Sequence, residues 1–194
     1  MCSSDLGQNT FFSGNISITG LPDIDESYFD LQVKSLQTDY FDLATIPSYP
    51  FNLNQTIPLP EQIKMAGTIN AEGQFNGFLS DFVAYGNFNS AIGFISSDVN
   101  FKVNGKKGIP SYSGHLSAND LNIGQLANNT NKLGKVSFNA NIEGSGIKLS
   151  DLNMTLKGDV NSIGLLGYNY KAIKVDGNFS EKKFNGLLSI QDTT

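Results

Sequence analysis

Alternation of apolar and polar residues at period two is the feature that most narrows what this chain can fold into. From Val136 the sequence reads Val-Ser-Phe-Asn-Ala-Asn-Ile-Glu. On an extended strand that puts Val136, Phe138, Ala140 and Ile142 on one side and Ser137, Asn139, Asn141 and Glu143 on the other. Tyr112, Gly114, Leu116 and Ala118 alternate likewise with Ser113, His115, Ser117 and Asn119. Leu152, Met154 and Leu156 alternate with Asn153, Thr155 and Lys157. Ile173, Val175, Gly177 and Phe179 repeat the pattern, as do Phe184, Gly186, Leu188 and Ile190. Strands with one apolar and one wet side belong to antiparallel sheets covered on one face only.

Short connections punctuate these strands. Gly105-Lys106-Lys107-Gly108, Gly144-Ser145-Gly146 and Glu181-Lys182-Lys183 each stand between alternating runs, and links this short force neighbouring strands antiparallel. Two stretches break the pattern. Residues 37–62 hold Pro47, Pro50, Pro58 and Pro60, which a central ladder does not accept, so a loop is expected there, with one helical turn over Asp39–Ala44. Residues 119–134 read as a spacer with a short amphipathic helix near Ile123–Ala127. Gly67–Ser80 and Gly177–Ser189 echo one another, each read as a strand, a turn and then Phe-Asn-Gly-apolar-Leu-Ser. Residues 1–9 look like an atypical or truncated start, and the chain from residue 10 to 194 reads as one all-β unit cut from something longer.

The chemistry-bearing residues are sparse. A net charge of −5 argues against a nucleic-acid partner, because a phosphate backbone needs a basic face to displace its counterions. Cys2 is the single cysteine, which excludes an internal disulfide and a cysteine zinc site. His115 is the single histidine and falls on a polar strand side, without the partners of a metal site or a nucleophilic triad. Asp23, Asp25 and Glu26 cluster, yet lack the spacing of a calcium loop and read as turn residues that cap the backbone. Gly105–Gly108 lacks the spacing of a phosphate-binding loop. No catalytic constellation emerges, so neither an enzyme nor a cofactor is expected. A hydrolase would have to rest on His115 or the 23–26 carboxylates.

Gly73-Gln-Phe-Asn-Gly-Phe-Leu-Ser-Asp-Phe-Val-Ala-Tyr-Gly86 and Gly167-Tyr-Asn-Tyr-Lys-Ala-Ile-Lys-Val-Asp-Gly177, the latter closing with Phe184-Asn-Gly-Leu-Leu-Ser-Ile-Gln-Asp192, resemble the hairpin units of TamB/AsmA-like envelope proteins. The spacer Leu121-Asn-Ile-Gly-Gln-Leu126 followed by Leu133-Gly-Lys-Val-Ser137 fits the same pattern. The likeness covers roughly residues 10–192 and is greatest to Bacteroidota-type versions. It implies a long, twisted antiparallel sheet of hairpins, curved into an open hydrophobic groove with short helical turns in its loops. It implies further a segment of a periplasmic bridge, anchored in the inner membrane through a region absent here. Such a bridge conducts phospholipid toward the outer membrane or supports outer-membrane protein assembly, with a TamA-like barrel as partner. The groove would then be lined by Tyr112, Leu116, Val136, Phe138, Ala140, Ile142, Leu152, Met154, Leu156, Ile173, Val175, Phe179, Phe184, Leu188 and Ile190, with phospholipid acyl chains as their contact. Without the resemblance, the same alternation ordinarily makes the core of a sandwich, as in a secreted or lipid-anchored adhesin-like binding module.

Overall fold

The computed structural model describes residues 8–191 apart from 22, 24, 46, 50, 51, 57, 58, 60, 104–107 and 147–150; at 47–49, 52–56 and 62 it describes the backbone alone. Twelve strands are present: β1 (Phe11–Thr19), β2 (Tyr28–Thr38), β3 (Pro47–Tyr49), β4 (Asn52–Thr56), β5 (Ile69–Phe78), β6 (Asp81–Ser90), β7 (Gly93–Val103), β8 (Pro110–Asn122), β9 (Leu133–Ser145), β10 (Asn153–Leu165), β11 (Tyr168–Ser180) and β12 (Lys183–Ile190). Ten of them form one antiparallel sheet in the order β1-β2-β5-β6-β7-β8-β9-β10-β11-β12, and β3 pairs only with β4. The sheet is a meander in chain order, interrupted once where residues 39–68 leave and return. Among the described residues it is not closed into a barrel, and no second sheet of comparable size makes a sandwich with it.

The proline-rich stretch read as a loop holds more structure than expected. α1 (Tyr40–Thr45) follows β2 directly, the β3–β4 hairpin comes next, and a 3₁₀ turn (Glu61–Ala66) leads into β5. Pro47 is accommodated because β3 stands outside the ten-stranded ladder, where an absent N–H costs that ladder no bond. The spacer at 119–134 carries its short helix where expected. β8 runs on to Asn122, and α2 is only Ile123–Leu126, its first turn held by the Gln125 N–H donating to Asn122 Oδ1 at 3.1 Å.

The internal echo does not survive as a repeated hairpin. Gly177–Ser189 is strand, turn and strand, and both Glu181 and Lys182 take the left-handed backbone that a tight hairpin turn requires. The counterpart of that turn in Gly67–Ser80 lies inside β5, where Gly73 keeps the chain extended.

A buried polar knot ties the first edge strand to the helical connection. Asp42 Oδ2 accepts from the Asn9 N–H and from Thr10 Oγ1, both at 2.8 Å, and Thr10 Oγ1 also lies 2.8 Å from the buried Thr38 Oγ1. Asp39 caps α1 by accepting the Asp42 N–H at 2.9 Å, and a further bond from Asn9 helps to hold its carboxyl below the usual carboxylate range.

Glycine at 114 is dictated by the backbone. Its φ is +149°, and a Cβ there would run into the Asp98 carbonyl oxygen and come within 2.8 Å of Val99 Cα. Gly114→Ala is expected to lower stability by about 1–3 kcal/mol. Gly167→Ala, in the β10–β11 turn with open space around it, should cost less, since it meets backbone strain but no neighbour. Urea unfolding midpoints of the two variants check this order.

Candidate functional site: an apolar face across ten strands

Residues opposed in neighbouring strands share a face, so the register shows how each face is composed. At the hairpin end one row crosses the whole sheet as Ile18, Phe29, Gly77, Phe82, Phe101, Tyr112, Gly144, Met154, Phe179 and Phe184. The next contains Ile16, Leu31, Phe75, Ala84, Val99, Gly114, Ile142, Leu156, Gly177 and Gly186. The third contains Gly14, Val33, Gly73, Gly86, Ser97, Leu116, Ala140, Gly158, Val175 and Leu188. The fourth, toward the helices, contains Phe12, Leu36, Ala71, Phe88, Ile95, Ala118, Phe138, Val160, Ile173 and Ile190. Ser97 is the one residue in these rows that is neither apolar, aromatic nor glycine.

Side-chain size is sorted across the rows. The two outer rows carry most of the aromatic rings, and the third carries none. Glycine is concentrated in the two middle rows. Phe75, Phe82 and Phe101 are in ring contact, with centroids 4.6 and 4.9 Å apart in sequence. Phe184 lies across two glycines of the neighbouring row, its Cζ 2.6 Å from where a Cβ of Gly177 would stand and 3.0 Å from that of Gly186. Rings are thus gathered toward the two outer rows and glycines toward the two middle rows of one continuous apolar face, in which larger side chains such as Leu31, Phe75, Leu116 and Leu156 also occur in the middle rows.

Of the residues expected to line a groove, thirteen belong to these rows: Tyr112, Leu116, Phe138, Ala140, Ile142, Met154, Leu156, Ile173, Val175, Phe179, Phe184, Leu188 and Ile190. Val136 continues the same face toward α2, opposite Leu121 and Ile163. Leu152 lies just before β10 begins and has no place in the ladder. Burial is uneven along the face, for Phe88 on β6 is 42% exposed. Val136, Ala140, Ile173 and Val175 are buried, whereas Phe184, Leu188 and Ile190 on the edge strand are 41%, 53% and 46% exposed. The sequence reading missed the other half of the face, from Phe12 to Phe101. Its signal was present as alternation in 28–33 and 94–103, but glycines at 73, 77 and 86 diluted it.

One end of the face is closed. Ile123 and Leu126 of α2 pack on Ala118, Leu121 and Val136, and α2 also contacts the 3₁₀ turn, which in turn touches α1. The bulge between Ala118 and Leu121 that makes room for this is held by the buried Ser137, whose Oγ accepts the Asp120 N–H at 2.9 Å. At the opposite end, Leu79–Ser80 and Glu181–Lys182 are tight hairpin turns.

The second face is polar and cross-linked by neighbouring pairs. Lys102 reaches Asp81 at 2.6 Å, Lys157 reaches Asp176 at 2.9 Å, and Asn87 Nδ2 donates to Glu72 at 3.0 Å. These pairs are exposed, so each contributes at most about 1 kcal/mol. His115 Nδ1 lies 3.1 Å from Asn141 Oδ1 on this face. Asp23 turns locally, accepting the Asp25 N–H and the Ser27 hydroxyl. Among the described residues no group of three or more His, Cys, Asp or Glu is placed to hold a metal ion. Open recesses of about 490 and 530 Å³ lie on this polar side, lined by residues such as Asn139, Asp159 and Lys174 in one and Asp98, His115 and Glu143 in the other. A third, of about 680 Å³, sits at the hairpin end, where polar-face side chains meet Phe82, Phe101 and Tyr112. No helix among the described residues is long and apolar enough to cross a membrane. No family model matches the sequence, and neither a curated protein nor a solved structure matches the chain.

Burial, and secondarily the Asp151 carboxylate, hold the Tyr112 hydroxyl above the ordinary tyrosine range. The folded chain thus keeps this proton more tightly than the unfolded one. The resulting stability is complete below the ordinary tyrosine value and is lost as pH rises through the raised folded value. Tyr112→Phe should therefore lose less stability than the parent between neutral and strongly alkaline pH, measured by urea midpoints. A contrast between adjacent residues tests the two faces. Ala140→Asp places an unpaired carboxylate among apolar side chains and should cost about 3 kcal/mol or more. Asn141→Asp, one residue along beside His115 and Lys157, should change stability by no more than about 0.5 kcal/mol.

Proposed function

We propose that this chain is a groove-forming segment of a TamB/AsmA-like envelope bridge, and that its apolar face carries phospholipid acyl chains. The observation that carries the reading is the apolar band itself: four adjacent rows crossing ten strands with a single serine among them. A buried core alone would not require glycines gathered in the middle rows and aromatic rings in the outer ones. An uninterrupted apolar surface of this kind suits a flexible hydrocarbon.

The energetics favour such a path. Exposing a sixteen-carbon acyl chain to water costs on the order of 13 kcal/mol, at roughly 0.8 kcal/mol per CH₂. A continuous apolar surface removes most of that barrier without binding lipid tightly, because hydrocarbon contact needs no directional bonds. Ten strands at about 4.8 Å spacing give a path of roughly 43 Å. The hairpin-turn resemblance supports an envelope location, with an inner-membrane anchor and a TamA-like barrel engaged by other parts of the protein. Support of outer-membrane protein assembly uses the same surface, since an unfolded apolar strand presents similar chemistry. A sandwich-type adhesin module is disfavoured because, among the described residues, the ten-stranded sheet has no second sheet of its own size.

The test is site-specific photo-crosslinking in cells. A crosslinker replacing Phe138, in the fourth row, should capture phospholipid, and one replacing the exposed Asn139 on the opposite face should not. Equal capture at both positions would overturn the groove reading.

A further inference from the structure

The three recesses of the wet side are joined. The one at the hairpin end shares Asn100, Ser113, Glu143 and Thr155 with the one beside His115. The latter shares Asn141 and Lys157 with the one that reaches Asp159 and Lys174. They make a single oblique trough across the middle of the sheet, from Asp81 and Lys102 near the turns to Lys174 on β11. Most of its basic groups are already neutralised, Lys102 by Asp81 and Lys157 by Asp176. Asp98, Asn100, Glu143 and Thr155 are exposed and have no side-chain partner among the described residues. His115 engages only the Oδ1 of Asn141, which leaves that amide its N–H donors. Tyr85 stands directly opposite Asp98 and is 53% exposed. It is the one tyrosine or phenylalanine in the two rows that carry these groups.

We propose that this trough binds a linear, uncharged β-1,4-linked glycan, with Tyr85 against the C–H face of one pyranose ring and Asp98, Asn100, Asn141 and Glu143 bonded to ring hydroxyls. Neighbouring hydroxyls each donate and accept, which matches open carboxylates and amides set side by side. A tyrosine ring offers the apolar surface that the C–H face of a sugar needs. Two unpaired carboxylates turn away a polyanion. An extended peptide is poorly served, because its N–H and C=O groups pair with a strand edge and this is a sheet face. The strand spacing of about 4.8 Å is close to the rise of one ring in such a glycan, so successive rings meet successive strands. The site lies on the face opposite the acyl path and stands whether or not that path carries lipid.

The test is calorimetric titration of the full chain with cello- and chito-oligosaccharides of two to six rings, which share the linkage and differ at the 2-position. At least one series should bind, with affinity rising with length and levelling off near four or five rings, since β7 to β11 spans roughly 19 Å. Tyr85→Ala and Asn141→Ala should each weaken binding of the six-ring sugar about tenfold while keeping the parent's far-UV spectrum. Asn87→Ala, on the same face but bonded to Glu72 away from the trough, should bind as the parent does. Backbone amide shifts of the parent on adding the six-ring sugar should centre on β7–β10, a readout that needs no variant. Alginate, a linear polyanionic glycan, should not bind. Failure of both series at millimolar concentration, affinity independent of length, alginate bound as tightly, shifts centred elsewhere, or undiminished binding by folded Tyr85→Ala would each overturn the proposal.

Discussion

A slip of one residue between any two strands would turn all the apolar side chains of one strand to the wet face. The register therefore has to hold at every junction from β1 to β12 for the apolar band to exist at all. Short turns supply much of that control. Leu79–Ser80, Ala91–Ile92, Leu166–Gly167 and Glu181–Lys182 each join strands with two residues between their bounds, leaving no slack for an alternative pairing. The register shifts of this sheet, at Ser13/Gly14, Val33/Leu36, Ala118/Leu121, Val160/Ser162 and Ile163/Leu165, all fall on the helical side of the third row. There the strands must twist to meet α2 and the 3₁₀ turn.

Glycine has two duties on this face, and they are linked. At Gly114 the backbone takes a conformation that other residues avoid, and neighbouring main chain occupies the space a side chain would need. At Gly177 and Gly186 the missing side chains make room for the Phe184 ring. Glycine in a strand ordinarily weakens it through lost packing and greater chain entropy. Here an aromatic neighbour covers part of the exposed backbone, which offsets part of that cost and keeps the middle rows low. The size pattern and the stability of the sheet thus depend on the same pairs of residues.

The all-β class and the side on which each of the C-terminal strand residues falls were legible in the sequence, because parity along a strand is a local property. Phe138 and Asn139 occupy opposite faces for no reason beyond being adjacent. Rows are different. That Phe101 stands beside Tyr112 depends on how many residues separate β7 from β8, and single-sequence periodicity does not count them. Small structured elements were also hidden. The prolines at 47–60 argued correctly against a central ladder, yet they did not forbid the β3–β4 hairpin outside it. Ser137 shows a further limit: it belongs by parity to the wet face, but the bulge in β8 buries it to satisfy the Asp120 N–H. Ser137 is thus set by tertiary structure, whereas its neighbour Phe138 is set by pattern.

The two ends of the apolar face are chemically unlike, and this asymmetry bears on any use of it. Toward the helices, Ile123 and Leu126 cover Val136 and Leu121, so that margin is a packed core in miniature. Toward the hairpin turns, the first row is mostly aromatic rings, with Met154 among them. Aromatic side chains tolerate contact with water on one rim and hydrocarbon on the other, and methionine adapts its shape to irregular neighbours. The face thus has a yielding margin on one side and a fixed wall on the other. Between them, a Cβ at Gly158 would come within 2.6 Å of the Ala140 Cβ, so no side chain can be added there without moving the strand beside it. Side-chain height in the middle rows and strand spacing are in this sense linked, because the same glycines set both.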